Sequence, residues 1–423
     1  MAETAARARP APEVPPARAA TFGEVFADRE FRAIWLAEFA SVAGDQFARV
    51  ALTVLVYERT HSPLLTALTY AVSYLPWLVG SLFLSDLADS LPRRDVMVGA
   101  DLGRMLLVAA MALPGMPLWS LVLLLFAVTT LNAPFQGARS ALRATILPGD
   151  RYALGLAVFQ ITREIGVVGG FAAGGFIVTT LHARNALLID SATFAASAIL
   201  LLTAVRRRPA PERHRVSRMA EMAAGLRLVF ATYRLRVLML LGWLAAFYTV
   251  AEALAVPYAA QLRHGAVAAG LIFAAGPLGS AVGMAVFTRM VSPPRRMRWM
   301  GPMAVAACLL LLLCLSRPGL ILLLVILAVS GLLAAYQVAA NAAFVMAAPD
   351  HRRGQAYAIA NGGMMLGQGL VYVLAGAVAT VTRTAPAIVV AGSGAVGAAL
   401  AVWLVLTGRQ DSPVTSERGL RTV

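Results

Sequence analysis

Long apolar stretches recur along the whole chain, from Phe31 to Leu406, and this repetition limits what the chain can fold into. An α-helix needs roughly 20 apolar residues to cross about 30 Å of hydrocarbon. Of the 423 residues, 59% are hydrophobic and only 13% are charged, and this charged fraction is roughly half that of an ordinary soluble domain. The chain has too few polar side chains to cover a water-soluble surface. We therefore predict an all-α integral membrane protein that crosses the bilayer many times.

Twelve stretches are long enough to span a membrane, and we number them in chain order as the first to the twelfth span. Residues 1–30 are rich in Ala, Pro and Arg and have no apolar core, which predicts a disordered tail and not a secretory signal. Residues 408–423 form a second predicted tail. The spans lie at residues 32–57, 65–87, 95–113, 118–139, 153–179, 185–205, 236–258, 266–288, 298–315, 319–345, 355–380 and 385–407.

The basic residues give the predicted orientation, and all 36 of them are arginine. Short cytoplasmic loops of membrane proteins are enriched in Arg and Lys. With the N-terminus inside, 28 of the 36 arginines fall in cytoplasmic segments, and one missed helix would destroy this asymmetry. We therefore expect the protein to lie in the cytoplasmic membrane, with both termini in the cytoplasm. The net charge of +15 then reflects topology, so we expect no nucleic-acid partner.

The longest connection, residues 206–235, divides the spans into two sets of six. The triplet at residues 92–94, Pro-Arg-Arg, recurs at 294–296, after the eighth span instead of the second. This repetition predicts two pseudo-symmetric six-helix bundles, at residues 31–205 and 236–407. Within the linker, Met222, Leu226 and Phe230 recur at four-residue spacing and predict a short interfacial helix.

Several chemistries are disfavoured by what the chain lacks. A Walker-type ATPase and a pyridoxal-type enzyme both need a lysine, and the sequence has none. Its five histidines fall in predicted connections without metal-ligand spacing, and Cys308 and Cys314 share one apolar run, where we expect them to pack as small hydrophobes. We expect that the protein is not an enzyme and binds no metal or organic cofactor. We expect a proton gradient to be its energy source.

Charged residues inside predicted spans are candidates for function, because each costs at least about 2.5 kcal/mol at membrane depth. Glu38, Asp45 and Arg49 form one polar stripe on the first span at 100° per residue. Asp45 and Arg49 are one turn apart and can pair. Two hypotheses stay open: the pair stabilises the bundle, or Asp45 carries a proton.

Further charges lie in later spans. Arg163 and Glu164 lie in the fifth span and Glu252 in the seventh. Asp101 and Arg104 of the third span are spaced as a structural pair that could support the loop at Asp89. Asp190 lies about five residues from the predicted external end of the sixth span, where we expect water to reach it, which makes it a poor proton carrier. Polar and aromatic residues such as Tyr70, Gln136, Tyr248, Gln337 and Gln368 could shape a cavity.

Two motifs carry a family resemblance. Residues 85–94 read Ser-Asp-Leu-Ala-Asp-Ser-Leu-Pro-Arg-Arg, similar to the G-x-L-a-D-r-x-G-r-r loop of the major facilitator superfamily, with Ser90 in place of an arginine. The fifth span carries Gly166, Gly170, Gly174 and Gly175 and resembles the antiporter motif G-x-x-x-G-P-x-x-G-G, with Phe171 in place of proline. Glycines spaced by four lie on one helix face and allow a second helix to approach closely. Generic topology signals and small-residue packing are the simpler interpretations of the two motifs.

The resemblance covers about residues 22–407 and implies the major facilitator fold, with a central cavity lined by the first and seventh helices. Asp89, Arg93 and Arg94 would then latch the cytoplasmic side, and Asp45 and Glu252 would contact protons or cations. The efflux branch of the superfamily implies export of a small organic compound by proton antiport. An aromatic cavity with few charges suits an amphiphilic or cationic substrate, and we expect a monomer in the bilayer. An uptake symporter of the same fold and a non-transporting membrane protein remain alternatives.

Overall fold

In the computed structural model, residues 21–74, 91–147, 150–209, 218–349 and 352–410 are described, and their regular elements are all helices. The predicted all-α class is confirmed. A short helix, Phe22–Ala27, precedes the first span and is capped by the Thr21 hydroxyl. The other helices of the N-terminal half, meaning the residues before 206, are Arg29–Thr60, Pro63–Ala71, Arg93–Met111, Leu118–Ile146 and Asp150–Ala204.

In the C-terminal half, meaning the residues after 235, several spans are interrupted. The helices here and in the linker are Arg218–Ala231, Tyr233–Trp243, Ala245–Tyr248, Val250–Ala253, Ala255–Gln261, Ala266–Met290, Pro293–Leu309, Leu320–Leu333, Tyr336–Ala347, Arg353–Val381 and Pro386–Gln410, with a 3₁₀ segment at Leu310–Ser316. The seventh span consists of four short helices. Pro257 has no N–H to donate to Ala253, and the helix breaks at Leu254, within that turn.

When consecutive helices are taken together, as in Tyr233–Ala253, Pro293–Ser316 and Leu320–Ala347, nine helical segments of the described residues are long and apolar enough to cross a membrane. The longest of them contains both the fifth and the sixth span. That helix turns at His182, whose φ of 67° and ψ of 159° are not helical. The third span is the shorter, more charged helix Arg93–Met111, and the described part of the second span contains the helix Pro63–Ala71. The rest of the predicted second span, residues 75–87, lies outside the described residues. These helices are consistent with twelve spans.

The six predicted external connections share one backbone feature. Each contains a residue with positive φ: His61, Gly115, His182, Arg263, Arg317 and Arg383, at φ values from 51° to 78°. A residue with a left-handed conformation lets the chain reverse direction within a few residues. The two spans joined by each of these six connections therefore form a tight helical hairpin. Because helices alternate in direction, these six turns lie at the same end of the bundle.

The two halves meet near those turns. The backbone N–H of Leu64 donates to Thr380 Oγ1 at 2.9 Å, which joins the second span to the eleventh. Gly175 and Gly270 bring the fifth and eighth spans into backbone contact, since a Cβ on Gly175 would lie 2.6 Å from Ala266 O. We call this region, defined by Leu64, Gly175, Gly270 and Thr380, the closed end. The division of the chain into domains at residues 31–205 and 236–407 stays a prediction.

The linker helix predicted at the membrane surface is present as Arg218–Ala231. Leu226 and Phe230 are exposed on it, and Gly225 packs against Ile359 and Gln355 of the eleventh span. Exposed apolar side chains beside arginines are typical of a helix that lies along a bilayer surface. The linker is also fastened to the N-terminal half, because Arg208 donates to both carboxylate oxygens of Glu30 at 2.7 and 3.2 Å.

Candidate functional site

A cavity of about 400 Å³ lies between the two halves. It is lined by the first, second, fourth and fifth spans on one side and by the seventh, eighth, tenth and eleventh on the other. Its lining includes five of the six membrane charges predicted as candidates. They are Asp45, Arg49, Arg163, Glu164 and Glu252, and Tyr70, Gln136, Tyr248, Gln337 and Gln368 accompany them.

Glu252 is held from across the interface between the halves. The Tyr70 hydroxyl, from the second span, donates to Glu252 Oε2 at 2.7 Å. Tyr70 is only 1% exposed, and its ring lies 5.6 Å from the ring of Tyr372 and 5.2 Å from that of Phe273. Phe171 stacks on Phe273 at 5.1 Å. These aromatic side chains close the cavity toward the closed end, and the Glu252 carboxylate sits at that boundary.

The ion pair that Asp45 and Arg49 could form, one of the two hypotheses left open by the sequence, is not present. No cation lies within 4.0 Å of Asp45 among the residues that the structure describes. Arg49 instead approaches Tyr74, with its guanidinium carbon 5.9 Å from the ring centroid. One helical turn brings two side chains onto the same face, but rotamer and neighbours decide whether they touch. Asp45 therefore faces the cavity without a close counter-charge.

Glu38, the sixth candidate, occupies a different environment. It is 2% exposed and lies outside the cavity lining. Arg143 of the fourth span donates to its Oε2 at 2.5 Å, and Arg139 forms a salt bridge to the same oxygen at 2.7 Å. The Arg143 guanidinium also stacks over Phe159 at 3.8 Å. Two arginines on one carboxylate fix the first span against the fourth. This arrangement is that of a structural clamp.

On the fifth span, Arg163 and Glu164 both reach the cavity. Gln160 Nε2 donates to Glu164 Oε1 at 2.9 Å, one turn earlier on the same helix. Glu164 thus has a neutral hydrogen-bond partner, and water in the cavity can reach it.

The glycines of the fifth span allow close helix packing, as the motif predicts. A Cβ on Gly170 would lie 2.9 Å from Ala43 O, and one on Gly174 would lie 3.2 Å from the Phe47 Cα, both on the first span. Gly166 faces Val42 of the same span. Gly175 points the other way, to the eighth span. The motif therefore packs the fifth span against two neighbours, one in each half.

The loop motif is only partly described. Asp89 lies outside the described residues. Arg93 donates to Ala141 O and to Thr145 Oγ1, both at 2.9 Å, and Arg94 donates to Val205 O at 3.4 Å. Both arginines hold helix ends of the N-terminal half together, and their predicted part in a gate stays a prediction.

A buried polar network lies behind the first span. The predicted pair of Asp101 and Arg104 is confirmed at 2.5 Å, and the Ser197 hydroxyl donates to the second Asp101 oxygen at 2.5 Å. The expectation that water reaches Asp190 is wrong, because Asp190 is 1% exposed. The first span covers it at Gly44, where a Cβ would overlap the carboxylate. The number of residues between Asp190 and the nearest loop does not reveal that another helix packs over it. The first span can pack there because Gly44 has no side chain.

The sequence matches the model of the Major Facilitator Superfamily over residues 34–318 and again over residues 254–422. The chain belongs to the major facilitator superfamily. Superfamily members are membrane transporters, which agrees with the cavity between the two halves. Among the described residues, no group of three or more His, Cys, Asp or Glu side chains could hold a metal ion.

Two relatives within the superfamily are distant. The chain is 27% identical to the multidrug efflux pump Tap of Mycolicibacterium fortuitum over 281 residues, which covers 61% of this chain and 67% of Tap. It is 26% identical to the uncharacterized MFS-type transporter YkuC of Bacillus subtilis (strain 168), over 42% of each chain.

Solved transporters share the fold at lower identity. A POT family transporter in complex with 5-aminolevulinic acid superposes with a TM-score of 0.72 at 12% identity, covering 92% of this chain and 98% of that one. The nucleoside transporter NupG superposes with a TM-score of 0.69 at 13% identity, covering 90% and 99%. At this identity the likeness concerns the fold alone.

Proposed function

We propose that this transporter exports a small organic compound across the cytoplasmic membrane by proton antiport, as a monomer with both termini in the cytoplasm. Its similarity to the efflux pump Tap supports export. The arginine distribution supports an external position for the closed end, so that the cavity of this structure would face the cytoplasm.

The observation that carries the proposal is the hydrogen bond from Tyr70 to Glu252, 2.7 Å long. It joins the two halves at the boundary between the cavity and the closed end. A carboxylate accepts a hydrogen bond more strongly than a neutral acid does. The charge on Glu252 therefore biases the balance between the closed and opened forms of that end, which is the coupling that an antiporter needs.

A cationic substrate fits this arrangement because it would compete with the proton for the same carboxylate. When bound from the cytoplasm, the cation attracts Glu252 away from Tyr70, and the closed end opens. An external proton then neutralises Glu252 and releases the substrate, after which the protein returns and the proton leaves to the cytoplasm. Proton and substrate thus occupy Glu252 in turn.

The rest of the cavity supports the same substrate class. Among the titratable groups of the lining, three carboxylates face two guanidinium groups. The amide oxygens of Gln46 and Gln368 line the cavity and are buried without a hydrogen-bond partner among the described residues, so they can accept from a substrate N–H. Met284, Met364, Met365 and the tyrosines provide apolar and aromatic surface. We propose an amphiphilic organic cation.

The test uses purified protein in liposomes with an imposed pH gradient and a fluorescent lipophilic cation as the probe. We expect a gradient to drive cation movement opposite to the proton flux. Both Asp45→Asn and Glu252→Gln should abolish gradient-driven transport while the protein stays folded, because each removes a carboxylate that lines the cavity and can attract a proton or a cationic substrate. Glu58→Gln, at an exposed acid near the end of the first span, is the matched control and should transport normally.

Two results would overturn the proposal. Cation movement in the same direction as the protons would make the protein a symporter. Unchanged transport and unchanged pH dependence in both cavity variants would exclude these acids from coupling.

A further inference from the structure

A second cavity, of about 310 Å³, opens on the outer surface of the bundle, between the seventh and twelfth spans. We propose that this groove binds the headgroup and one acyl chain of an anionic phospholipid. It lies apart from the central cavity, and no residue lines both. The proposal does not depend on the transported substrate or on the direction of transport.

The groove has a charged rim and an apolar floor. Arg236 and Tyr233 lie at the start of the seventh span, and Trp403 and Thr407 lie near the end of the twelfth. Val237, Leu240 and Leu404 form the apolar part. The described lining contains one cation and no acid, so the groove is complementary to a ligand with an anionic head and an apolar tail.

Arg236 is oriented but not neutralised. Its Nη1 donates to Phe230 O at 3.1 Å, and its guanidinium lies 5.4 Å from the centroid of the Tyr233 ring. Among the described residues it has no carboxylate within 4.0 Å. One of its five N–H donors is used, so the other four remain available to phosphate oxygens.

The groove lies at headgroup depth. Trp403 is about 26 Å along the twelfth span from Pro386 at 1.5 Å per residue, which is close to the full thickness of about 30 Å of hydrocarbon. Arg236 is about 5 Å into the seventh span from Tyr233. The linker helix that precedes it exposes Leu226 and Phe230, as a helix on the membrane surface does. Tryptophan and tyrosine at this level are typical of the interface between lipid and water.

The chain also supplies a matched control. Arg234 lies two residues before Arg236 on the same helix, is exposed and does not line the groove. Substituting either arginine by glutamine changes the net charge equally and at nearly the same depth. A difference between the two variants therefore reports the groove and not the general attraction of a basic surface for anionic lipid.

The experiment is native mass spectrometry of the full-length, delipidated protein titrated with phosphatidylglycerol or with phosphatidylcholine of the same acyl chains. We expect one tightly bound phosphatidylglycerol and weaker binding of phosphatidylcholine. Arg236→Gln should weaken the tight site by about fivefold or more, since one arginine near the surface contributes about that factor. Arg234→Gln should bind as the wild type does.

A second variant tests the apolar floor. Val237→Trp keeps the charge and fills the groove, and tryptophan is tolerated at this depth. It should lower phosphatidylglycerol binding and, unlike Arg236→Gln, it keeps the arginine contacts that hold the helix start. Millimolar glycerol phosphate should fail to displace the lipid, because it lacks the acyl chain.

Four outcomes would overturn the proposal. They are equal binding by Arg236→Gln and Arg234→Gln, equal binding of the two lipids, unchanged binding by Val237→Trp, and displacement by glycerol phosphate. The last would indicate a simple phosphate site.

Discussion

The hydrogen bond between Tyr70 and Glu252 makes a quantitative prediction for the substitution Tyr70→Phe. The substitution removes the phenol oxygen that lies 2.7 Å from Glu252 Oε2 and leaves the ring between Phe273 and Tyr372. Aromatic packing at the closed end is therefore unchanged. The substitution removes the hydrogen bond from Tyr70 to Glu252 between the two halves, and the longer one that the Tyr74 hydroxyl donates to Tyr70.

The size of the effect follows from the charge of the acceptor. A hydrogen bond to a charged group contributes about 1.5–3 kcal/mol, or about 10- to 150-fold in a population ratio. Glu252 lines a cavity that water can fill, so water can replace part of the lost bond and the lower figure applies. We expect Tyr70→Phe to raise by about tenfold the population of molecules in which the two halves have separated at the closed end. Glu252→Gln keeps a neutral acceptor and should have a smaller effect, and adding it to Tyr70→Phe should add little.

The measurement is a distance distribution between spin labels at residues 58 and 381, by double electron–electron resonance in lipid nanodiscs. Glu58 and Val381 are exposed at the closed end, in different halves. The two native cysteines, Cys308 and Cys314, are buried and should not react with the label. Tyr70→Phe should shift the distribution to longer distances.

Tyr74→Phe is the matched control for this prediction. The Tyr74 hydroxyl donates to that of Tyr70 at 3.4 Å and makes no hydrogen bond to Glu252, so this variant removes the longer bond and keeps the one from Tyr70 to Glu252. We expect its distance distribution to equal that of the wild type. The reasoning would be refuted if Tyr70→Phe and Tyr74→Phe gave the same distribution as the wild type at every pH tested.

Two further predictions concern stability. Gly170→Ala should destabilise the protein by about 1–3 kcal/mol through overpacking, because the added Cβ lies 2.9 Å from Ala43 O, whereas Gly169→Ala meets nothing within 4 Å and should have little effect in the same thermal-unfolding assay. Arg104→Met should destabilise by about 3–5 kcal/mol, since it leaves the buried Asp101 carboxylate without its cation. Adding Asp101→Asn should recover part of that loss, and full additivity of the two changes would contradict the pairing.

The sequence was sufficient to predict features that depend on composition along a single helix. The apolar spans, the linker helix, the packing face of the Gly166, Gly170 and Gly174 motif and the pair of Asp101 and Arg104 all have a local signal. The interruptions of the seventh span were not predicted, and their only local signal is Pro257. Helical periodicity is a property of neighbouring residues, and the predicted local features are present because neighbouring residues largely decide them.

Local sequence periodicity could not predict contacts between residues that are far apart in the chain. Tyr70 and Glu252 are 182 residues apart, so nothing local indicates that they meet. The burial of Asp190 depends on how the chain turns at His182 and on the absence of a side chain at Gly44. The missing pair of Asp45 and Arg49 shows the converse case. Periodicity places the two residues on the same helix face, but they do not contact each other. Arg49 lies near Tyr74 instead.

The partners of the buried acids separate those that hold the fold from those that can change charge. Glu38 binds two guanidinium groups and Asp101 binds one, so neutralising either leaves arginines buried without a counter-charge. Glu252 and Glu164 accept hydrogen bonds from a phenol and from an amide, which are neutral groups and are not left as unpaired charges when the acid is protonated. A proton can therefore bind and leave at the second pair without stranding a cation. This difference in partners, and not depth in the membrane, favours Glu252 over Glu38 as the coupling residue.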